Sequence, residues 1–231
     1  MDNLINFNAD PEYDLTCKLL LVGDPSSGKS CIFNKFCSDE FNSEYRATIG
    51  VDFKTAIVQI ENLCTIKTKR GKIKEIPIRK KVKIQLWDVS GQDRFKIVTT
   101  NYFRNVDAVI IVHDMANPHG KKNINKWIND ASKECNFDVP FYLVANKCDL
   151  ITQLNESVEK NQDEDCLDPD LDSSSITSIN PVGISSTFKI SAKTGEGVKE
   201  MFISIVEDVI DFKDDDEIMN KSVQVSCCTI Q

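Results

Sequence analysis

With 231 residues, 41% of them hydrophobic and 28% charged, the chain has the length for one well-buried domain with appendages, and two full domains would be cramped. A net charge of −8 argues against nucleic acid as a general partner, because a phosphate-backbone binder presents a basic face. No apolar run approaches the ~18 residues of a membrane span, the polar Met-Asp-Asn start lacks the sections of a signal peptide, and nine scattered cysteines indicate neither a disulfide framework nor a zinc site. A cytosolic chain with reduced cysteines is the expectation.

In chain order, the apolar run at 17–22 predicts a buried strand. It leads into Gly23-Asp24-Pro25-Ser26-Ser27-Gly28-Lys29-Ser30, after which Cys31, Ile32, Phe33 and Phe36 carry a helical period. Residues 51–60 alternate and predict an edge strand. Residues 62–81 are rich in Lys and Arg, with Arg70-Gly71-Lys72 as a tip, and predict an extended hairpin that is either a solvated feature or a docking site for an acidic partner or anionic membrane. The runs 82–89, 107–112 and 140–145 predict strands buried on both faces. Helices are predicted at 123–135, from Ile124, Trp127, Ile128 and Ala131, and at 198–212, from the stripe Met201, Phe202, Ile205, Val206, Val209 and Ile210. Residues 153–186 are acidic, then Ser-rich, and interrupted by Pro169 and Pro181; they offer little apolar surface against the entropy of ordering, and much of the stretch is expected to be disordered. Strands alternating with helices predict a mostly parallel sheet with ligands at the carboxyl ends of its strands.

The chemistry sits at those ends. Gly-x-x-x-x-Gly-Lys-Ser between a strand and a helix is a phosphate cradle: backbone N–H groups converge on the α- and β-phosphates, Lys29 reaches the β/γ oxygens, and Ser30 binds Mg²⁺. Asn146-Lys147-Cys148-Asp149 follows another strand, where the Asp149 carboxylate can accept both N1–H and N2–H₂ of guanine, a donor pair that adenine lacks. Trp87-Asp88-Val89-Ser90-Gly91-Gln92 ends a third strand. There Asp88 is placed to hold Mg²⁺ through water, Gly91 to offer an N–H to the γ-phosphate, and Gln92 to orient the attacking water. Thr48 can supply a second hydroxyl to the metal.

These segments resemble a Ras-superfamily small GTPase, most similar to the Rab family, over roughly 14–212. The resemblance implies an α/β fold: a P-loop NTPase G domain with a mostly parallel six-stranded sheet, one antiparallel edge strand and helices on both faces. It implies a domain at 14–212, with insertions at 62–81 and 153–186, between an extension at 1–13 and a variable tail at 213–231. It places GTP or GDP against Ser26, Gly28, Lys29, Ser30, Cys31, Phe41, Tyr45, Thr48, Gly91, Asn146, Lys147 and Asp149, with Ser191-Ala192-Lys193 touching the guanine carbonyl. Mg²⁺ falls to Ser30, Thr48 and Asp88, and catalysis to Gln92 and Lys29. The Rab leaning rests on Ile49-Gly50-Val51-Asp52-Phe53, Trp87-Asp88 and Tyr102-Phe103-Arg104; Phe53, Trp87 and Tyr102 stand where Rab proteins present an aromatic triad to effectors, although core packing would account for them as well. A monomer regulated by an exchange factor and an activating protein is implied, because no arginine in the phosphate loop or first switch is an obvious cis finger.

Two features depart from the family or extend it. Ser26 stands where Rab proteins usually carry Gly, and Pro25 removes a backbone donor and fixes φ; a GTP-bound scaffold that scarcely hydrolyses is therefore the competing expectation. The ending Ser226-Cys227-Cys228-Thr229-Ile230-Gln231 fits a Cys-a-a-X farnesyl site at Cys228, as in a Ras-type signalling protein, or a Rab-type double geranylgeranyl tail on Cys227 and Cys228. Both imply recognition by a prenyl transferase and an anchor on the cytoplasmic face of an intracellular membrane, with a cytosolic pool. The acidic Asp214, Asp215, Asp216 and Glu217 supply no polybasic second signal, which favours two lipids.

Overall fold

The computed structural model describes residues 12–44, 46–67, 73–92, 100–117, 119–136, 138–151 and 183–211, with backbone alone at 62–67, 73–78 and 100. Strand β1, Leu15–Val22, lies at the centre of a six-stranded sheet because its side chains are apolar on both faces: Leu19, Leu20, Leu21 and Val22 are all fully buried. The other elements are α1 (Lys29–Ser38), β2 (Val51–Lys67), β3 (Ile73–Val89), β4 (Ala108–Asp114), α2 (Ile124–Ser132), β5 (Phe141–Asn146), β6 (Ile184–Lys189) and α3 (198–211), with a 3₁₀ turn at Thr100–Phe103. Strand order is β2-β3-β1-β4-β5-β6; β2 runs antiparallel to β3, and every other pair is parallel.

The period of two along β1 divides the core into two layers. Leu19 and Leu21 join Phe33 and Phe36 of α1 and Met201, Phe202, Ile205 and Val206 of α3 on one face, where the Phe36 and Phe202 rings meet at 4.1 Å between centroids. Leu20 and Val22 join Ile124 and Ile128 of α2, with Phe103 and Val106, on the other. Full burial of side chains this size contributes about 1.5–3 kcal/mol each, so these stripes hold the strand ends in fixed register.

The described structure departs from the sequence reading at two places. Ile184, Ser185 and Ser186, assigned above to the acidic and Ser-rich stretch, open β6, which pairs with β5 from Phe141↔Ile184 to Ala145↔Lys189. Its Ile-Ser-Ser-Thr-Phe-Lys sequence is half-buried on alternate residues only, as suits an edge strand, and so lacks a continuous apolar run. The run at 82–89, read as buried on both faces, instead alternates, with Lys83, Gln85 and Trp87 only half-buried because β3 lies next to the edge strand; below it β2 and β3 stay paired from Val51↔Val89 to Lys67↔Ile73, as the hairpin predicted at 62–81 requires. Pro77 lies in this overhang, the position where a strand residue without an N–H is tolerated. The tip at 68–72, the bulk of the acidic stretch (152–182), and residues 212–231 fall outside the described residues.

Candidate functional site

The carboxyl ends of the parallel strands enclose a cavity of about 650 Å³ whose lining includes Lys29, Ser30, Thr48, Gln92, Asn146 and Asp149. Gly28 takes φ 93° as the N-cap of α1 and makes no side-chain cap, leaving first-turn N–H groups open to an anion. A Cβ at Gly28 would sit 2.2 Å from the Asn146 Nδ2, so the loop turns against the base motif at a point with no room for a side chain. Ser26 adopts φ 66°, the left-handed conformation that is costly for a residue with a Cβ.

Lys29 is 6% exposed, and its ammonium donates to the Gly23 and Asp24 carbonyls, both at 2.8 Å. Burial pushes its pKa down to about 8 against the opposing pull of the Asp88 and Asp24 carboxylates. Asp24 is itself held on both oxygens: Oδ1 accepts the Trp127 indole N–H at 2.8 Å, and Oδ2 accepts the Asn123 amide at 2.9 Å. The sequence reading missed this tie. Trp127 fits the helical stripe as an apolar residue, and spacing carries no sign of where its N–H points.

Three oxygen donors converge below the loop. Ser30 Oγ donates to Asp88 Oδ2 and lies 2.9 Å from Thr48 Oγ1, which is 3.4 Å from the same carboxylate oxygen. Asp88 is fully buried, and its Oδ1 has no hydrogen-bond partner among the described residues. Burial raises its pKa, opposed by the Ser30 hydrogen bond and by Lys29. Hydroxyl and carboxylate oxygens with an orphaned buried oxygen beside a phosphate cradle fit Mg²⁺, which takes few protein ligands and shares its shell with substrate phosphates. Beside them Gly91 abuts the phosphate loop, and Gln92 reaches the cavity with a buried Oε1 that has no hydrogen-bond partner among the described residues.

On the base side, Asn146 donates to the Ser27 carbonyl at 2.9 Å and accepts the Ala192 N–H at 3.0 Å, joining three loops through one amide. Lys147, at φ 70°, donates to Asp114 Oδ2 at 2.7 Å. Asp149 accepts the Ser191 hydroxyl at 2.6 Å, with the Lys193 ammonium 4.0 Å from its other oxygen. Cys31 and Phe41 also line the cavity. Arg46 does too, but its guanidinium is paired with Glu44 at 3.1 Å in an exposed ion pair. Tyr45, Cys227 and Cys228 lie outside the described residues.

Away from the cavity, Phe53, Trp87 and Tyr102 form one stack, with ring centroids 4.4 Å and 5.0 Å apart. Phe53 is 42% exposed. Trp87 and Tyr102 are half-buried against the second core layer, so the cluster is neither fully core nor freely exposed.

A phosphate loop after the first strand of a parallel sheet with one antiparallel edge pair is the α/β P-loop GTPase fold. The profile of the Ras family matches residues 18–211, and the chain belongs to that family as a divergent, Rab-like small GTPase. It is similar to the Ras-related protein Rab-10 of Diplobatis ommata, 32% identical over 202 residues that cover 87% of this chain and 85% of that one. It is similar also to Rab-13 of Canis lupus familiaris, 33% identical over 198 residues and covering 86% and 82%. The Ras-related protein SEC4 of Candida albicans is 35% identical over 153 residues, 66% of this chain and 64% of its own.

Proposed function

We propose that the chain is a Rab-type switch that cycles between GTP and GDP and regulates vesicle-mediated membrane traffic from a prenylated tail at Cys227 and Cys228. The observation that carries this reading is the meeting of Lys29, Ser30, Thr48, Asp88, Gln92, Asn146 and Asp149 around one cavity. In it the backbone of the loop and Lys29 hold the phosphates, and Asp149 with the Ser191-Ala192-Lys193 loop selects guanine. Mg²⁺, held by Ser30, Thr48 and Asp88, would supply charge neutralisation at the β- and γ-phosphates. Gln92 holds the attacking water in line with the γ-phosphorus. With GTP, Thr48 and Gly91 are drawn toward the γ-phosphate; after its loss both loops relax, and the Phe53–Trp87–Tyr102 surface changes for effectors. Exchange and activating proteins set the timing of each half-cycle.

A second reading, a GTP-loaded scaffold with negligible turnover, is favoured by one observation, the left-handed Ser26 next to Pro25. Single-turnover hydrolysis of bound GTP separates the two. The switch reading expects measurable release of phosphate that falls by about 10²-fold or more in Gln92→Leu. No detectable turnover in the wild type, with turnover appearing in Pro25→Gly/Ser26→Gly, would establish the scaffold instead.

A further inference from the structure

The basic hairpin and the end of α3 leave the sheet on the side opposite the nucleotide cavity. Strand β3 runs parallel to β1, so its first residues lie at the amino ends of the parallel strands, whereas the cavity lies at their carboxyl ends. Pairing between β1 and β3 begins at Leu15↔Val82. Asp14 closes that edge, its N–H on the Lys81 carbonyl at 2.8 Å and its carboxylate on the Lys81 N–H at 2.7 Å. Beyond Lys81, β2 and β3 remain paired as far as Lys67↔Ile73, with no third strand beside them among the described residues. At ~3.3 Å per residue this two-stranded arm reaches about 25–30 Å past β1. Helix α3 returns to the same end: Asp208 accepts a 3.3 Å hydrogen bond from the hydroxyl of Tyr142, at the start of β5. Helix α3 thus ends, at residue 211, on the arm's side of the domain, and β3 and β5 are about 14 Å apart across the sheet.

Between Glu61 and Lys81 the sequence carries eight Lys and Arg against two Glu, in a chain of net charge −8. Lys67, Lys74, Arg79, Lys80 and Lys81 stand on the described strands, and Arg79 is 68% exposed even while paired with Glu61. Lysines and a proline also discourage an open ribbon from pairing with other chains, but charge of either sign serves that end. The arm's charge is predominantly positive. In the sequence, α3 is followed by Asp214, Asp215, Asp216 and Glu217, so a basic contact that reinforces a lipid anchor is absent from the tail's sequence and present on the arm.

We propose that the β2–β3 arm is an electrostatic contact for an anionic phospholipid bilayer, acting beside the lipidated tail and holding the nucleotide cavity away from the membrane. The orientation rests on the prenylated-tail reading given above. The test is co-sedimentation of the full-length chain, prenylated and unprenylated, with vesicles of phosphatidylcholine alone or with added phosphatidylserine. The prenylated wild type is expected to prefer phosphatidylserine vesicles by about tenfold or more, a preference that fades with added salt. Lys67→Gln/Lys74→Gln/Lys80→Gln/Lys81→Gln abolishes the preference, the matching Lys→Arg chain keeps it, and both retain GDP binding and binding to phosphatidylcholine through the lipid. No phosphatidylserine preference in the wild type, as an acidic protein partner or the chain's own acidic segment on the arm would give, overturns the proposal, as does an unchanged preference in the Gln chain. Mass spectrometry of the tail keeps the two readings apart: an unmodified tail refutes the anchor alone, and the preference of the unprenylated chain still decides the role of the arm.

Discussion

Asp24, the second residue of the phosphate loop, and Trp127, in the middle of α2, are joined by a 2.8 Å hydrogen bond from the indole N–H to the carboxylate. Together with the Asn123 amide on the other oxygen, it fixes the backbone whose carbonyl holds Lys29. A hydrogen bond to a charged group contributes about 1.5–3 kcal/mol. Trp127→Phe, which keeps the aromatic packing, should therefore lower the stability of the GDP-bound chain by about 1–2 kcal/mol and its melting temperature by about 3–6 °C. GDP should also leave faster. A double-mutant cycle with Asp24→Asn checks the origin, since additive effects would show that the two side chains act separately.

Lys29 gives the site a pH dependence. Burial lowers its pKa from the unfolded value of 10.5 to about 8, so between those values the unfolded chain binds a proton that the nucleotide-free native chain does not. Stability of the nucleotide-free form should then rise with pH from about 8 to 10.5, and the contribution is lost as pH falls through 8. Phosphates restore the ammonium form, so GDP binding at pH 9 takes up close to one proton, and affinity weakens by up to about tenfold per pH unit above 8. Titration calorimetry in buffers of different ionisation enthalpy measures that proton. No uptake at pH 9 would contradict the assignment.

Strands β1 and β5 were legible because each ends in a continuous apolar run closed by glycine or a polar motif, as at Val22-Gly23 and Ala145-Asn146, whereas β3 alternates over Val82-Lys83-Ile84-Gln85 and is marked by the motif at its end. The left-handed Ser26 was legible only through the family resemblance, which puts Gly at its place. The start of β6 was not, because an edge strand buries only alternate residues and Ser185-Ser186 carries no apolar signal. Nor was the clamp on Asp24, for it depends on a contact between residues about a hundred positions apart. Side-chain hydrogen bonds of that kind leave no periodicity in the sequence. The same holds for Asn146, whose motif announces a base site but not the carbonyl of Ser27 that it also binds.

Gly91 has no room for a side chain. A Cβ there would lie 2.5 Å from the Gly23 carbonyl oxygen and 2.6 Å from the Pro25 nitrogen, both backbone atoms with little freedom to yield. Gly91→Ala should push the second switch away from the phosphate loop and reduce single-turnover hydrolysis by about tenfold or more, for a misplacement of roughly 1 Å can cost 10²-fold. GDP affinity should change far less. Equal loss of both would mean that the substitution disturbs the whole loop rather than the approach of the switch.

Asn146 joins the phosphate loop to the Ser191-Ala192-Lys193 loop through two hydrogen bonds. Asn146→Asp keeps the acceptor for the Ala192 N–H but turns a carboxylate oxygen toward the Ser27 carbonyl. Losing one buried donor and adding repulsion should cost about 2 kcal/mol, a rise of roughly thirtyfold in GDP dissociation. Stopped-flow release of a fluorescent GDP analogue reads this directly.

Base choice rests on Asp149, whose carboxylate is oriented by the Ser191 hydroxyl at 2.6 Å and the Lys193 ammonium at 4.0 Å. An amide at this position keeps one acceptor and gains a donor, which clashes with the guanine N2 amino group but suits the carbonyl that xanthine carries there. Asp149→Asn should weaken GTP by about 10²-fold or more, within the 10⁴–10⁵ that an unpaired buried polar group can impose. Xanthosine triphosphate should gain in parallel. Competition of the two nucleotides against a fluorescent analogue measures the exchange, and unchanged GTP affinity would remove Asp149 from the base site.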